Sequence, residues 1–347
     1  MRTSSLIEGS PLPLVFEPES DAERDGARLA DSIAPRGAEI QAALTKHGAL
    51  LFRGFSPVGP AEMERAARAL APELKKDYLG TSPRDALTEY VFSASELPGY
   101  YPIPQHCEMS FVKDPPRRLF FCCLQPNSGP GGETPLVDFR RVARDLDPLV
   151  RAKFEKLGVR NVRNYAGPSG GSRLDLWKLK RWDQMFGTTD RAVVEEKCRE
   201  NGFEYHWREP DRLQLINAQP ALRAHPETGE AVWFNHAQVF HLGAAPGEYR
   251  RIARRLGPRW LGLWALSTAM VAAKRAFVRP DDQAMDSTYG DGSPISDAEM
   301  EAVRDAIWKN LVAFPWQKGD LLAIDNRAVS HGRLPYRGPR SVAVCWA

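Results

Sequence analysis

Asp320-Leu-Leu-Ala-Ile-Asp325, the polar bend Asn326-Arg-Ala-Val-Ser-His331-Gly-Arg-Leu-Pro-Tyr336, and Ser341-Val-Ala-Val-Cys-Trp346 close the chain. Apolar runs of this length, bounded by turn-forming residues, read as buried strands. Working outward, Gly48-Ala-Leu-Leu-Phe-Arg-Gly-Phe55 has the same character, and so does Leu119 to Leu124, which ends in the obligatory loop Gln125-Pro-Asn-Ser-Gly-Pro-Gly-Gly132. Between the strands lie helical patterns. Pro60 to Leu74 has apolar residues at helical spacing, and a second helix starts near Thr188-Thr-Asp190 and stops at Gly202. Ser296-Asp-Ala-Glu299 is a capping box ahead of Met300 to Leu311. A chain that ends on a strand after many strands and loops is expected to form a β-barrel or sandwich with helices packed outside it.

With 43% apolar and 10% aromatic residues the composition is globular. The net charge of +3 leaves no electrostatic footprint for nucleic acid or an anionic membrane. Met1 to Leu14 lacks the apolar run of a secretory signal, so a cytoplasmic protein is expected. The apolar stretch Trp260 to Ala273 is shorter than the roughly 20 residues of a membrane span and is expected to be a buried helix. Cys107, Cys122, Cys123, Cys198 and Cys345 show no CxxC spacing and are expected as reduced, mostly buried thiols. No repeat or long Pro/Gly/Ser linker divides the chain, so one domain over 1–347 is expected, with a lid insertion around 166–188.

His106-Cys-Glu108 is the most informative tripeptide. Two ligands at i and i+2 of an extended strand project to one side and can grip one ion. An imidazole and a carboxylate leave a metal incompletely bound, and a second histidine would complete the three-ligand face with open positions that nonhaem iron(II) oxygenases use. His331, between a buried strand and a turn, is the choice for it; His47, His206, His225, His236 and His241 are the alternatives. A 2-oxoacid co-substrate chelating such a metal carries a far carboxylate, for which a fixed guanidinium is the natural partner. Arg340, nine residues after His331 at the start of the last strand, is placed to supply it.

These residues belong to a longer series: Leu51-Phe-Arg-Gly-Phe55, Gln105-His-Cys-Glu-Met-Ser-Phe111, Gly131-Gly-Glu-Thr-Pro-Leu-Val-Asp138, Val232-Trp-Phe-Asn-His236, Tyr289-Gly-Asp-Gly-Ser-Pro294, Trp316-Gln-Lys-Gly-Asp320, Asp325-Asn326 and His331-Gly-Arg333. In that order they resemble the taurine dioxygenase/TfdA-like iron(II) and 2-oxoglutarate oxygenases, in the branch resembling the syringomycin-pathway (SyrP-like) aspartate hydroxylase. The resemblance implies a mainly β fold with flanking helices, a double-stranded β-helix or jelly roll of the clavaminate synthase type. It implies His106, Glu108 and His331 as iron ligands, with Thr134 and Arg340 holding 2-oxoglutarate. Many relatives carry aspartate where Glu108 stands, and the retained carboxylate speaks for hydroxylation rather than halogenation. Taurine dioxygenase carries a second arginine four residues further on, where this chain has Val344, so Arg333 or Arg337 is left to take the other end of 2-oxoglutarate.

The implied reaction couples decarboxylation of 2-oxoglutarate by O2, giving succinate and CO2, to hydroxylation of an unactivated C–H bond in an amino acid or peptide-like natural-product intermediate. Desaturation or cyclisation is the alternative outcome. Outside this chemistry, a zinc hydrolase could use the same three ligands, and a catalytically idle binding protein could keep the fold. For substrate contact the candidates are Asn235, His236 and Gln238, after the apolar pair Trp233-Phe234. Gly167-Pro-Ser-Gly-Gly171, with Trp177, Trp182 and Phe186, reads as a lid with glycine hinges and aromatic anchors. Arg173, Lys178, Lys180 and Arg181 make that segment basic, either as a solvated face or to meet an acidic carrier protein bearing the substrate.

Overall fold

The computed structural model describes residues 1–347 except 8, 57, 81, 83 and 169–179. Mainly β sheet with flanking helices, it matches the expected class. The largest sheet has seven strands in the order Arg2–Ser5, Leu14–Glu17, Ala49–Phe52, Leu321–Asp325, Arg118–Gln125, Ser341–Trp346 and Phe92–Ser93. A three-stranded sheet sets Val329–Arg333 between Ile103–His106 and Leu136–Asp138. A four-stranded sheet holds Met285–Tyr289, Val159–Tyr165, Arg212–Gln219 and Glu204–Arg208. The chain end therefore leaves the large sheet after Asp325, runs through the three-stranded sheet as Val329–Arg333, and returns as Ser341–Trp346.

Alternation along the strands sorts side chains between two cores. Leu119, Phe121, Cys123, Leu322, Ile324, Val342, Val344 and Trp346 point into the interior shared with Met109, Phe111, Leu136 and Val329. Their neighbours Phe120, Cys122, Leu321, Ala323, Ala343 and Cys345 point the other way, against Ile33, Ile40, Leu44, Met63 and Ala67 of the covering helices. Both faces of these strands are buried, so they read as continuous apolar runs.

The helix expected from Pro60 ends at Leu70, and the one near Thr188 covers Arg191–Glu200, capped by the Asp190 carboxylate accepting from the Ala192 N–H. The capping box is formed: Ser296 Oγ accepts from Glu299 N–H and Glu299 Oε2 accepts from Ser296 N–H, opening Asp297–Lys309. One expectation needs correction. The apolar stretch from Trp260 lies mostly in the helix Leu261–Phe277, which is largely exposed: only Ser267 is buried along it, while Leu266 and Phe277 are 55% and 88% exposed. No described helix is long and apolar enough to cross a membrane. The described ends of the expected lid segment are packed against the rest of the chain. Trp182 and Phe186 are buried core side chains, and the glycine at 167 is required by packing, because a Cβ there would collide with the Asp211 carbonyl. Lys180 lies over the Tyr78 ring and Arg181 is paired with Asp183, so neither is simply displayed. Ser169, Gly170, Gly171, Arg173, Trp177 and Lys178 lie outside the described residues. All five cysteines are buried, and none forms a disulfide.

Candidate metal centre and its cavity

His106 and His331 face each other as register partners on antiparallel strands, with ring centroids 4.4 Å apart. Glu108 arrives differently from expected. The strand stops at His106, and Cys107 to Met109 form a turn in which Met109 adopts φ +51°, so a turn rather than the pleat of one strand swings the carboxylate to the same side. Asn326 fastens that turn: its Oδ1 accepts from Glu108 N–H (2.7 Å), and its Nδ2 donates to the carbonyls of Glu108 (3.0 Å) and Pro116 (2.7 Å). One nitrogen or carboxylate oxygen from each of His106, Glu108 and His331 lies within 4.8 Å of the others, and Glu108 Oε2 is 3.6 Å from His331 Nε2.

This donor set fits a divalent ion. His106 Nδ1 is engaged by the Pro104 carbonyl at 2.9 Å, which places the ring proton there and leaves Nε2 as a lone-pair donor. Burial, reinforced by the neighbouring His331, lowers the His106 pKa to about 4, so the imidazole is neutral and ready to ligate near pH 7. Burial opposes the charge on Glu108, yet the Arg84 guanidinium 2.7 Å away and the His331 bond more than offset it, holding the carboxyl well below its usual range. The His331 ring lies tilted against Phe121, with centroids 5.0 Å apart.

The three side chains line a cavity of about 270 Å³, together with Thr134, Arg340 and His236. Thr134 Oγ1 accepts from Arg340 Nη2 and from Trp316 Nε1, both at 3.1 Å, while Arg340 Nε donates to the Gly132 carbonyl at 2.6 Å. The loop before Thr134 reaches this position because Gly131 adopts φ +92° against the Pro335 carbonyl, where any side chain would collide. Arg333 lines the cavity, but most of its guanidinium is committed to backbone. Its Nη atoms are spent on the carbonyls of Leu97, Pro98 and Tyr101, and Arg337 is exposed and does not line the cavity.

Of the substrate candidates, His236 lines the cavity, with Nδ1 2.6 Å from Ser110 Oγ and its ring edge-on to His106. Asn235 and Gln238 do not. Asn235 bridges the Ala221 carbonyl and Ala237 N–H, and Gln238 donates to the Gln105 carbonyl while accepting from Trp233 Nε1, so both amides hold the backbone beside the site. The remaining histidines are occupied elsewhere: His47 with the Pro11 carbonyl, His206 with Glu204, His225 with Asp325, His241 with the Ile295 carbonyl. Two charged residues of the cavity had no sequence signal, Arg84 and Glu248. Each lies in a segment with no motif of its own and is delivered by tertiary folding. Asn326, by contrast, stood in the Asp325-Asn326 landmark.

The buried imidazoles set a pH dependence. The pKa values of His106 and His236 are both lowered, first by burial, so the fold keeps them neutral while an unfolded chain would protonate them near pH 6.5. The His106 contribution is present above about pH 6.5 and is lost as pH falls toward about 4, and that of His236 is lost in the same direction. The urea midpoint of metal-free protein should therefore drop between pH 7.5 and pH 5, and drop less in His236→Gln. Equal pH slopes for the two proteins would contradict this assignment.

Comparison with known proteins agrees with the geometry. The family described as taurine catabolism dioxygenase TauD, TfdA family matches residues 8–346. The dapdiamide synthesis protein DdaC of Enterobacter agglomerans is 30% identical over 340 residues, covering 98% of this chain and 92% of that protein. A clavaminate synthase-like protein of Arabidopsis thaliana is 28% identical over 352 residues, covering 96% and 93%. In fold, the chain is similar to the PvcB protein from Pseudomonas aeruginosa, with a TM-score of 0.54 at 14% identity over 99% of this chain and 90% of that one. With that family spanning nearly the whole length and a ligand-competent cluster of two histidines and a glutamate at the cavity wall, the chain belongs to the TauD, TfdA family and is an iron- and 2-oxoglutarate-dependent dioxygenase.

Proposed function

We propose that the enzyme oxidises an unactivated C–H bond of an amino acid or peptide-like natural-product intermediate, with iron held by His106, Glu108 and His331, and with Thr134 and Arg340 holding 2-oxoglutarate. The observation that carries this reading is the convergence, in one cavity, of three ligand-capable side chains and a hydrogen-bonded Arg–Thr pair. The retained Glu108 fills the ligand position that a halide would need, which favours hydroxylation over halogenation; desaturation or cyclisation is the alternative outcome, separated by product mass. DdaC takes part in dapdiamide synthesis, and a solved PvcB is described as an Fe, alpha-ketoglutarate dependent oxygenase from an isonitrile synthetic pathway; these support natural-product chemistry.

When bound, the iron supplies the site at which dioxygen is activated at the expense of 2-oxoglutarate. The chain's own residues do the rest. Arg340, with two donor bonds committed to Gly132 and Thr134, has a fixed orientation from which to meet a carboxylate. Phe111, Phe121, Ile103, Val239 and Phe240 give the cavity an apolar lining that excludes water around the reacting carbon. Ser110 orients His236 on the side of the cavity next to His106.

Glu248 is the carboxylate that joins Glu108 in lining the cavity, and it supports an amine-bearing substrate. Burial raises its pKa against the opposing pull of Arg304 and Arg251, and its Oε2 is engaged only by Trp308 Nε1 at 3.2 Å among the described residues. An ammonium group would stabilise its charged form. For amine-bearing substrates, Glu248→Gln should lower kcat/KM by about tenfold or more, the loss of one charged hydrogen bond. The reading as a whole is tested by screening amino acids and small peptides for iron-dependent succinate release, with mass detection of a product that has gained one oxygen atom or lost two hydrogens. Zinc-supported hydrolysis without succinate would overturn it.

A further inference from the structure

Arg84 lies in the loop between the helix Pro60–Leu70 and the strand Phe92–Ser93, and its side chain is only 5% exposed. Its guanidinium is wedged over the Tyr78 ring at 4.4 Å and near the Trp346 ring at 5.5 Å. One nitrogen is spoken for: Nη2 donates to Glu108 Oε2 at 2.7 Å and to Tyr78 Oη at 3.2 Å. The other two, Nε and Nη1, are buried without a partner among the described residues, although the side chain lines the cavity.

A clamp on Glu108 needs only one of these nitrogens. Burying a guanidinium with idle N–H groups is unfavourable by an amount comparable to the bonds it leaves unmade, so their position calls for an acceptor that arrives with a ligand. The local charge balance points the same way. Lys180 sits 5.1 Å from the Tyr78 ring, half-buried, so a second cation packs on the same ring that Arg84 covers, where Glu108 supplies the paired carboxylate. Once a metal ion takes up that carboxylate, the surplus positive charge grows. An anion beside the metal relieves it.

On the reading of this cavity as an iron and 2-oxoglutarate site, we propose that Arg84 is a second carboxylate-binding group, separate from the Thr134–Arg340 pair, whose free nitrogens bind a carboxylate seated next to the metal. Two sources share that chemistry: the 2-oxoacid end of 2-oxoglutarate and a carboxylate of the C–H substrate. The same side chain positions Glu108 by occupying one of its oxygens.

The test uses the full chain loaded anaerobically with iron(II), comparing wild type with Arg84→Lys, which keeps a cation for Glu108 but loses the two free nitrogens, and with Arg84→Gln. Three titrations are read: iron(II) itself; 2-oxoglutarate, through the visible charge-transfer band; and, at saturating 2-oxoglutarate, propionate against propionamide, through the shift of that band. The expected result is that R84K binds iron within a few-fold of wild type, yet loses about tenfold or more in affinity for one carboxylate, the size of a charged hydrogen bond. A loss at the 2-oxoglutarate step assigns the site to the co-substrate. Unchanged 2-oxoglutarate binding with the propionate response abolished assigns it to the substrate. If both variants bind both carboxylates as wild type does, or wild type responds identically to propionate and propionamide while 2-oxoglutarate binding is unaltered in R84K, Arg84 only positions Glu108 and the proposal fails. Should R84Q not fold, R84K alone decides. Absence of the charge-transfer band in wild type would instead remove the iron and 2-oxoglutarate reading, and the Arg84 assignment with it.

Discussion

Glu108→Ala is expected to abolish iron binding and turnover and, separately, to destabilise the metal-free protein. Glu108 and Arg84 are 3% and 5% exposed and form a 2.7 Å ion pair, so deleting the carboxylate strands a buried guanidinium. Removing one partner of such a pair is destabilising by about 3–5 kcal/mol. The effect is thermodynamic and needs no metal, so it is read by urea unfolding of chelator-treated protein. A double variant, Glu108→Ala with Arg84→Met, should regain most of that stability while remaining unable to bind iron. If E108A unfolds at the same urea concentration as wild type, the pair contributes nothing to the fold. If it still binds iron(II) at wild-type affinity, the carboxylate is not a ligand.

Arg340→Ala should raise the 2-oxoglutarate requirement about a hundredfold, because it removes a charge-assisted donor set from the half-buried cavity wall. Thr134→Val should have a smaller effect, about tenfold, since it takes away one hydroxyl while leaving the guanidinium held by Gly132. Both are measured by anaerobic titration of the iron(II) protein with 2-oxoglutarate and by succinate release at varied co-substrate. Iron affinity should be unaltered in each, as neither residue belongs to the His–Glu–His cluster. Unchanged 2-oxoglutarate affinity in R340A would move the far-carboxylate site elsewhere in the cavity.

The agreement between sequence and structure is uneven in a way that physics explains. The buried strands Arg118–Gln125, Leu321–Asp325 and Ser341–Trp346 were legible because both faces are covered, which turns alternation into unbroken apolar runs between turn residues. The capping box at Ser296 and Glu299 was legible because its bonds are local. His331 could be chosen, but its strand Val329–Arg333 could not be seen, since Ser330, Gly332 and Arg333 carry no apolar pattern and are buried by pairing with strands on both sides. The helix Leu261–Phe277 misled for the opposite reason: apolar composition suggested burial, while the chain packs it only along one narrow line.

Local chemistry and the ordered family landmarks together nominated His106, Glu108, His331 and Arg340, because ligand types and turn residues within short segments leave a pattern in any conformation. Which side chains share a cavity with them depended on contacts between segments far apart in sequence. Arg84 reaches Glu108 from a loop 24 residues earlier, and Glu248 comes from a helix outside the sheets. Such pairings are selected by the packing of whole sheets and helices, where the energetic gain of satisfying a buried charge is realised only after the chain has closed, so no window of residues carries their signature.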